Sequence, residues 1–282
     1  EALVVGFVVG FTPVLVASLL WVRRQLPKHQ KTFLLPLPQA VSGLATAAIA
    51  LTTVIALGHA SVSLVLVLVL MRGGVLLLSP LIDYVGGRSI GIASAQALGL
   101  SLAAVTLVFL NRASVGFDPD LLAVLAAYLI AYAVRLSLMV RGAKRLVEGS
   151  RGLWFLQEQL AALITLVVAA LFLLVNGDGA TLTPLPLSAV AAGASYGLVL
   201  AFGSLIYLDH RELTFAVPIN RAVSLCAGLV STLILFLFAD EALPEIADFI
   251  GAGLVIAALS ILLRYDARAA SAINPKPRLR VS

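Results

Sequence analysis

The chain has 282 residues, of which 61% are hydrophobic and only 12% charged, with a mean hydropathy of +1.08 and a formal net charge of +5. Soluble domains carry about 25% charged residues, so this composition excludes a water-soluble fold of this size. A single cysteine, Cys226, excludes an intrachain disulfide, and no Cys/His cluster has metal-ligand spacing. The composition therefore predicts an all-α integral membrane protein that needs no metal or cofactor.

Nine apolar segments are long enough to cross a bilayer, for which about 20 mostly apolar residues are needed. Pro, Gly and Asn-Gly clusters separate most of them, and the weakest division is the short turn at Gly58-His59-Ala60. The sequence thus predicts a polytopic transmembrane helix bundle of about nine spans. In chain order the segments are 2–22, 39–57, 61–82, 91–110, 121–140, 153–175, 187–208, 213–238 and 245–263.

The loops between these segments divide sharply by charge. Alternate loops and the C-terminal tail hold 15 of the 19 basic residues, whereas the opposite set holds only Arg112 among several acids. Short loops rich in Lys and Arg stay in the cytoplasm, so residue 1 is predicted outside and residue 282 inside. The basic set is Arg23, Arg24, Lys28, Lys31, Arg88, Arg141, Lys144, Arg145, Arg151, Arg211, Arg264, Arg268, Lys276, Arg278 and Arg280.

The two halves of the chain resemble each other weakly, in residues 57–110 and 208–263. Three pairs of residues correspond, namely His59 with His210, Arg72 with Arg221 and Gly99 with Gly251. His59 is predicted to lie outside and its counterpart His210 inside. The repeats are therefore inverted, an arrangement common in secondary transporters. The predicted division is 1–114 for a first repeat of four spans, 115–264 for a second of five, and 265–282 for a basic cytoplasmic tail.

The closest correspondence between the halves is an apolar helix, a polar turn with an acid, and a span with an early glycine. It is written LIDYVGGRSI with QALGLSL in the first half and LFADEALPEIADFIGAGLVI in the second. In this pattern the chain resembles the EamA-type members of the drug/metabolite transporter superfamily. The resemblance implies ten spans in two inverted five-helix repeats, so that the first helix of the pattern is expected to be lacking ahead of Glu1.

Two arginines lie deep within predicted spans at corresponding places in the repeats, Arg72 and Arg221. Charges inside spans usually face a protein interior or a water-filled cavity, and guanidinium suits carboxylate or phosphate. One hypothesis is that Arg72 and Arg221, with Asn220 beside the second, bind an anionic substrate in a central cavity. The alternative is structural, in which each arginine binds helix-end carbonyls or an acid and fixes the packing.

Arg135 and Glu158 form a second group of charges within spans. Each lies about five residues from the cytoplasmic end of its segment, in consecutive spans, so a structural ion pair or snorkelling of Arg135 is expected. The functional alternative makes Glu158 a proton-coupling carboxylate, with the Gln157-Glu158-Gln159 cluster lining a cytoplasmic vestibule.

These features favour a secondary transporter that moves a small metabolite or an anionic, lipid-linked substrate by alternating access. The competing hypothesis is a non-transporting subunit or scaffold of a larger membrane complex. An enzyme is not expected, because Walker A, HExxH and intramembrane Asp-pair motifs are lacking. The expected location is the inner or plasma membrane, with the lipid bilayer, the substrate and a homodimer or complex subunit as partners, and no nucleic acid.

Overall fold

The computed structural model describes residues 2–26, 35–58, 64–87, 90–112, 119–145, 151–176 and 187–207, together with single positions between 250 and 264. Within the seven continuous ranges all of the regular secondary structure is α-helical, with no strand. The helices are α1 (Ala2–Gln25), α2 (Leu37–Leu57), α3 (Leu64–Val85), α4 (Ile92–Arg112), α5 (Pro119–Arg145), α6 (Arg151–Asn176) and α7 (Leu187–Tyr207).

Proline and glycine set several of these helix ends. Pro36 precedes α2 in an extended conformation, and Pro38 occupies its first turn, where the missing N–H would have no helical partner anyway. At the other end of α2, the amide of Gly58 donates to the Val54 carbonyl at 3.0 Å. Helix α3 ends at Val85 and is followed by a turn at Gly86 and Gly87. The φ of 61° at Gly87 is the left-handed conformation that glycine adopts without a Cβ clash.

Five of the helices are long and apolar enough to cross a membrane: Ala2–Gln25, Leu37–Ala56, Pro119–Gly142, Arg151–Asn176 and Leu187–Ser204. The prediction of an all-helical chain with several helices of membrane-spanning length is confirmed. Each of the first seven predicted segments coincides with a helix, and residues described between 250 and 264 are helical. The eighth segment, 213–238, lies outside the described residues, and the count of nine stays a prediction.

Contacts divide the chain into two compact units, and the first comprises residues 1–78 and 114–210. Within it α1 packs on α7 and α6, and α2 packs on α5 and α6. Gly10 meets the Val190 carbonyl, and Gly193 meets the Phe7 carbonyl, so small residues let α1 and α7 approach closely, as is usual between membrane helices. The apolar core consists of Phe7, Val8, Phe11, Leu15, Ala47, Ala50, Leu166, Ala170 and Leu200.

The second unit comprises residues 79–113 and 211–282. Its described parts are the end of α3, α4 and the helical positions between 250 and 264. Ala97 of α4 packs with Ala258, and Leu100 covers the contact. Because the units are defined by contacts and not by internal symmetry, the predicted repeats 1–114 and 115–264 remain a prediction.

Candidate functional site

A buried ion pair joins α5 to α6 inside the first unit. Arg135 Nε donates to Glu158 Oε1 at 2.7 Å, and the two side chains are 1% and 0% exposed. The pair joins the second half of α5 to the first half of α6, and neighbouring helices enclose both charges. An isolated charge in this position would be expensive, since Arg or Asp at a membrane-helix centre costs about 2.5–3.5 kcal/mol on insertion scales.

Two hydroxyl groups of α2 complete the environment of Glu158 Oε1. Ser42 Oγ donates to it at 3.1 Å and Thr46 Oγ1 at 2.9 Å. Ser42 and Thr46 are four residues apart and therefore share one face of α2. Gly43 brings the helices together, because a Cβ at this position would lie 2.5 Å from the Glu158 carbonyl oxygen. A single carboxylate oxygen thus accepts hydrogen bonds from three side chains on two helices.

Ser204, near the end of α7, links the ion pair to Gln159. Its hydroxyl donates to the Leu200 carbonyl at 2.6 Å and accepts from Arg135 Nη2 at 2.6 Å and Gln159 Nε2 at 2.9 Å. Because the hydroxyl proton is committed to Leu200, only donors suit the remaining lone pairs. This fixes the amide of Gln159 with Nε2 towards Ser204.

Two acceptor atoms of the cluster are left over. Glu158 Oε2 and Gln159 Oε1 are both buried and have no hydrogen-bond partner among the described residues. Buried polar atoms are nearly always satisfied, so each of these oxygens is a place where a proton, a water molecule or a ligand donor would bind favourably.

The structure brings Arg135 and Glu158 together and encloses the Gln157-Glu158-Gln159 segment, whose three side chains are 6%, 0% and 0% exposed. The cytoplasmic vestibule that this segment was expected to line stays a prediction. Arg72 belongs to α3, but its side chain lies outside the described residues, as do Arg221 and Asn220. The substrate-binding role expected of these three residues therefore stays a prediction.

The sequence pattern does not point to Ser42, Thr46 and Ser204, because hydroxyl residues are common in apolar helices and only the folded chain brings them to the ion pair. The third span was predicted to end at residue 82, whereas α3 continues to Val85. Asp83 is consequently inside the helix and fully buried. The nearby Gly86-Gly87 pair could have indicated where the helix really ends. Among the described residues, no three His, Cys, Asp or Glu side chains come together as metal ligands.

No protein-family model matches the sequence, and no curated protein matches it. The chain is similar to a solved structure described only as "Crystal structure of protein", with a TM-score of 0.63 and 17% identity. The match covers 95% of this chain and 88% of that chain. At this level of identity the likeness shows the fold alone.

Proposed function

We propose that the protein is a secondary transporter that moves a small metabolite or an anionic, lipid-linked substrate across the inner or plasma membrane by alternating access. The observation that carries the proposal is the buried Arg135–Glu158 ion pair, which joins two helices of membrane-spanning length. Ionisable residues within spans are rare, and they commonly mark substrate or proton pathways.

The surroundings of the pair support a role beyond packing. A purely structural pair is best stabilised when every remaining lone pair is satisfied, yet Glu158 Oε2 has no partner in the described part of the chain. The carboxylate is therefore held firmly through one oxygen while the other stays available. This is the arrangement that a residue needs if it is to take up and release a proton in turn.

Substrate recognition is proposed for Arg72, Arg221 and Asn220, on the sequence argument alone. Two guanidinium groups at corresponding positions of inverted repeats would offer paired donors to a carboxylate or phosphate. Replacing either arginine by glutamine should weaken binding of an anionic substrate by about tenfold or more, because a hydrogen bond to a charged group contributes about 1.5–3 kcal/mol.

Flux into liposomes tests the function. The purified chain is reconstituted with a trapped pH-sensitive dye, and a panel of small carboxylates and phosphorylated metabolites is added outside. At least one compound should enter in a saturable, protein-dependent manner, and Glu158→Gln should abolish the dependence on a pH gradient. Folded protein that moves no compound of the panel would instead favour the alternative, a non-transporting subunit of a membrane complex.

Labelling of single cysteines tests the proposed orientation. In a Cys226→Ser background, an impermeant maleimide applied to the outside of cells should reach positions 114–117 and 178–181. It should not reach 28–31, 144–150 or 270–280, because these basic segments are proposed to be cytoplasmic. Outside labelling of 144–150 would overturn both the orientation and the count of spans.

A further inference from the structure

Unpartnered buried polar atoms are concentrated at the starts of two helices that pack together. Four such atoms occur among the described residues: Gln39 Oε1, Trp154 Nε1, Glu158 Oε2 and Gln159 Oε1. Gln39 is in the first turn of α2, and the other three lie within the first nine residues of α6. We name the residues that carry or contact these atoms the α2–α6 seam: Gln39, Ser42 and Thr46 on α2, and Trp154, Glu158 and Gln159 on α6.

Helical spacing makes the seam continuous. Gln39, Ser42 and Thr46 are spaced i, i+3, i+7 and so share one face of α2, while Trp154 and Glu158 are spaced i, i+4 on α6. Ser42 and Thr46 contact Glu158 directly. Gln39 and Trp154 therefore lie about one turn of helix, roughly 5 Å of rise, closer to the helix starts than the residues of this contact.

The same end of the bundle carries the basic residues. Helix α6 starts beside the end of α1, because Gly152 packs on Leu26 and Val22, and it starts beside the end of α5, because Gly142 packs on Trp154. Both ends carry exposed arginines, including Arg141. The seam thus leads from this basic end inward to Glu158.

The chemistry of the four atoms selects the molecule that fits them. One is an N–H donor and three are oxygen acceptors, so a partner for all four must both donate and accept. A metal cation would meet the indole N–H of Trp154 and the guanidinium of Arg135, and an anion would meet three acceptor oxygens. Water donates and accepts, and buried waters typically bind about three otherwise unsatisfied polar groups.

We propose that the α2–α6 seam is a hydrated path by which water and protons reach Glu158 from the basic end of the bundle. Coupling of the proton to substrate movement rests on the proposed transport function, whereas the path itself does not depend on that function. Glu158 Oε2 is the atom at which the proton is taken up and released, while Oε1 stays held by Arg135, Ser42 and Thr46.

The charged groups around Glu158 agree with this assignment. Helices α2 and α7 carry no charged residue, and Arg135 of α5 is the charged group that contacts the carboxylate among the described side chains. A proton on Glu158 would leave Arg135 with an uncompensated charge, so uptake should be coupled to a change at Arg135. The other charged side chains described on α1, α5 and α6 lie at helix ends: Arg23, Arg24, Asp120, Arg141 and Arg151.

Cysteine reactivity tests the path without any substrate. In the Cys226→Ser background, Ser42→Cys and Thr46→Cys are compared with Ala47→Cys, which is on the same helix and, like both of them, is 0% exposed. Methanethiosulfonate ethyltrimethylammonium, a permanent cation that does not cross the bilayer, is applied to vesicles of either orientation, and unreacted thiols are counted by maleimide labelling after denaturation. The cysteine thiolate, which forms where water reaches, attacks the reagent's sulfenyl sulfur to form a mixed disulfide and expels methanesulfinate.

Both seam cysteines should react about tenfold or more faster than Ala47→Cys, a ratio that corresponds to about 1.4 kcal/mol, and only from the basic end. Equal protection of Ser42→Cys and Ala47→Cys, or reaction from the opposite end, would overturn the path. Thr46→Cys keeps the test decisive if Ser42→Cys unfolds, since Thr46 is equally buried and lies one turn further along the same face of α2.

Deuterium exchange of the Glu158 carboxyl adds an independent measurement. Its infrared carbonyl band, identified by its loss in Glu158→Gln, should shift within the mixing time when acidified protein meets heavy water. Gln39→Leu, which removes one oxygen of the path, should slow this shift severalfold at unchanged thermal stability. An unaltered exchange rate would contradict the path, whereas reactive seam cysteines with no flux of any compound would refute the transporter and leave the path standing.

Discussion

The two halves of α6 differ in the burial and the polarity of their side chains. From 154 to 159 six consecutive side chains are buried, three of them Gln157, Glu158 and Gln159. From 164 to 175 one stripe, including Val168 and Phe172, is 47–80% exposed although wholly apolar. Such a stripe suits lipid, whereas the first half can persist only with protein around its polar groups. One helix therefore carries a polar site in its first half and an exposed apolar surface in its second. The halves differ because α2, α5 and α7 pack polar side chains against the first half.

Substitutions in the ion pair should cause the largest loss of stability and so test this contrast most strongly. Glu158→Gln or Arg135→Gln should each cost about 3–5 kcal/mol, because a buried charge loses its partner, and the melting temperature in detergent should fall accordingly. The double substitution should recover part of the loss, since no charge is then left unpaired. A double-mutant cycle with no coupling would show that the two side chains do not stabilise each other in solution.

Ser204→Ala should be the next most damaging change. It removes the acceptor shared by Arg135 Nη2 and Gln159 Nε2, and an unsatisfied buried donor costs about 1–3 kcal/mol. The matched control is Ser260→Ala, because Ser260 is exposed and bonds the Ile256 carbonyl of its own helix. Equal melting temperatures for the two variants would show that the hydroxyl of Ser204 does not hold the cluster together.

Close helix approach can be tested at Gly43. An alanine there would bring its Cβ to 2.5 Å from the Glu158 carbonyl oxygen, so α2 and α6 must move apart at a cost of about 1–3 kcal/mol. Gly99→Ala is the control, because nothing lies within 4 Å of a Cβ at that position in the described structure. It should be neutral or slightly stabilising, since alanine favours helix by up to about 1 kcal/mol. If both variants melt alike, Gly43 does not set the helix spacing.

The sequence predicted much of the fold and little of the site. Long apolar runs with proline or glycine between them locate helices well, because the cost of exposing backbone in lipid leaves few alternatives. Arg135 and Glu158 stood out since charges are rare within spans. Ser42 could not be found in this way, because its partner is 116 residues away and nothing in the local pattern records that contact.

The smallest effect is expected on the exposed stripe of α6. Phe172 is 65% exposed, so Phe172→Trp should alter stability by no more than about 0.5 kcal/mol, as is usual for surface positions. In a Trp21→Phe background the new indole should be quenched strongly by brominated lipid. The remaining native indole, Trp154, is 5% exposed and should be quenched weakly in the parent. Strong quenching of Trp154 would mean that lipid reaches the first half of α6, and the contrast between its halves would fail. A weakly quenched Trp at 172 with a large loss of stability would instead show that protein covers the stripe, as a homodimer or complex subunit would.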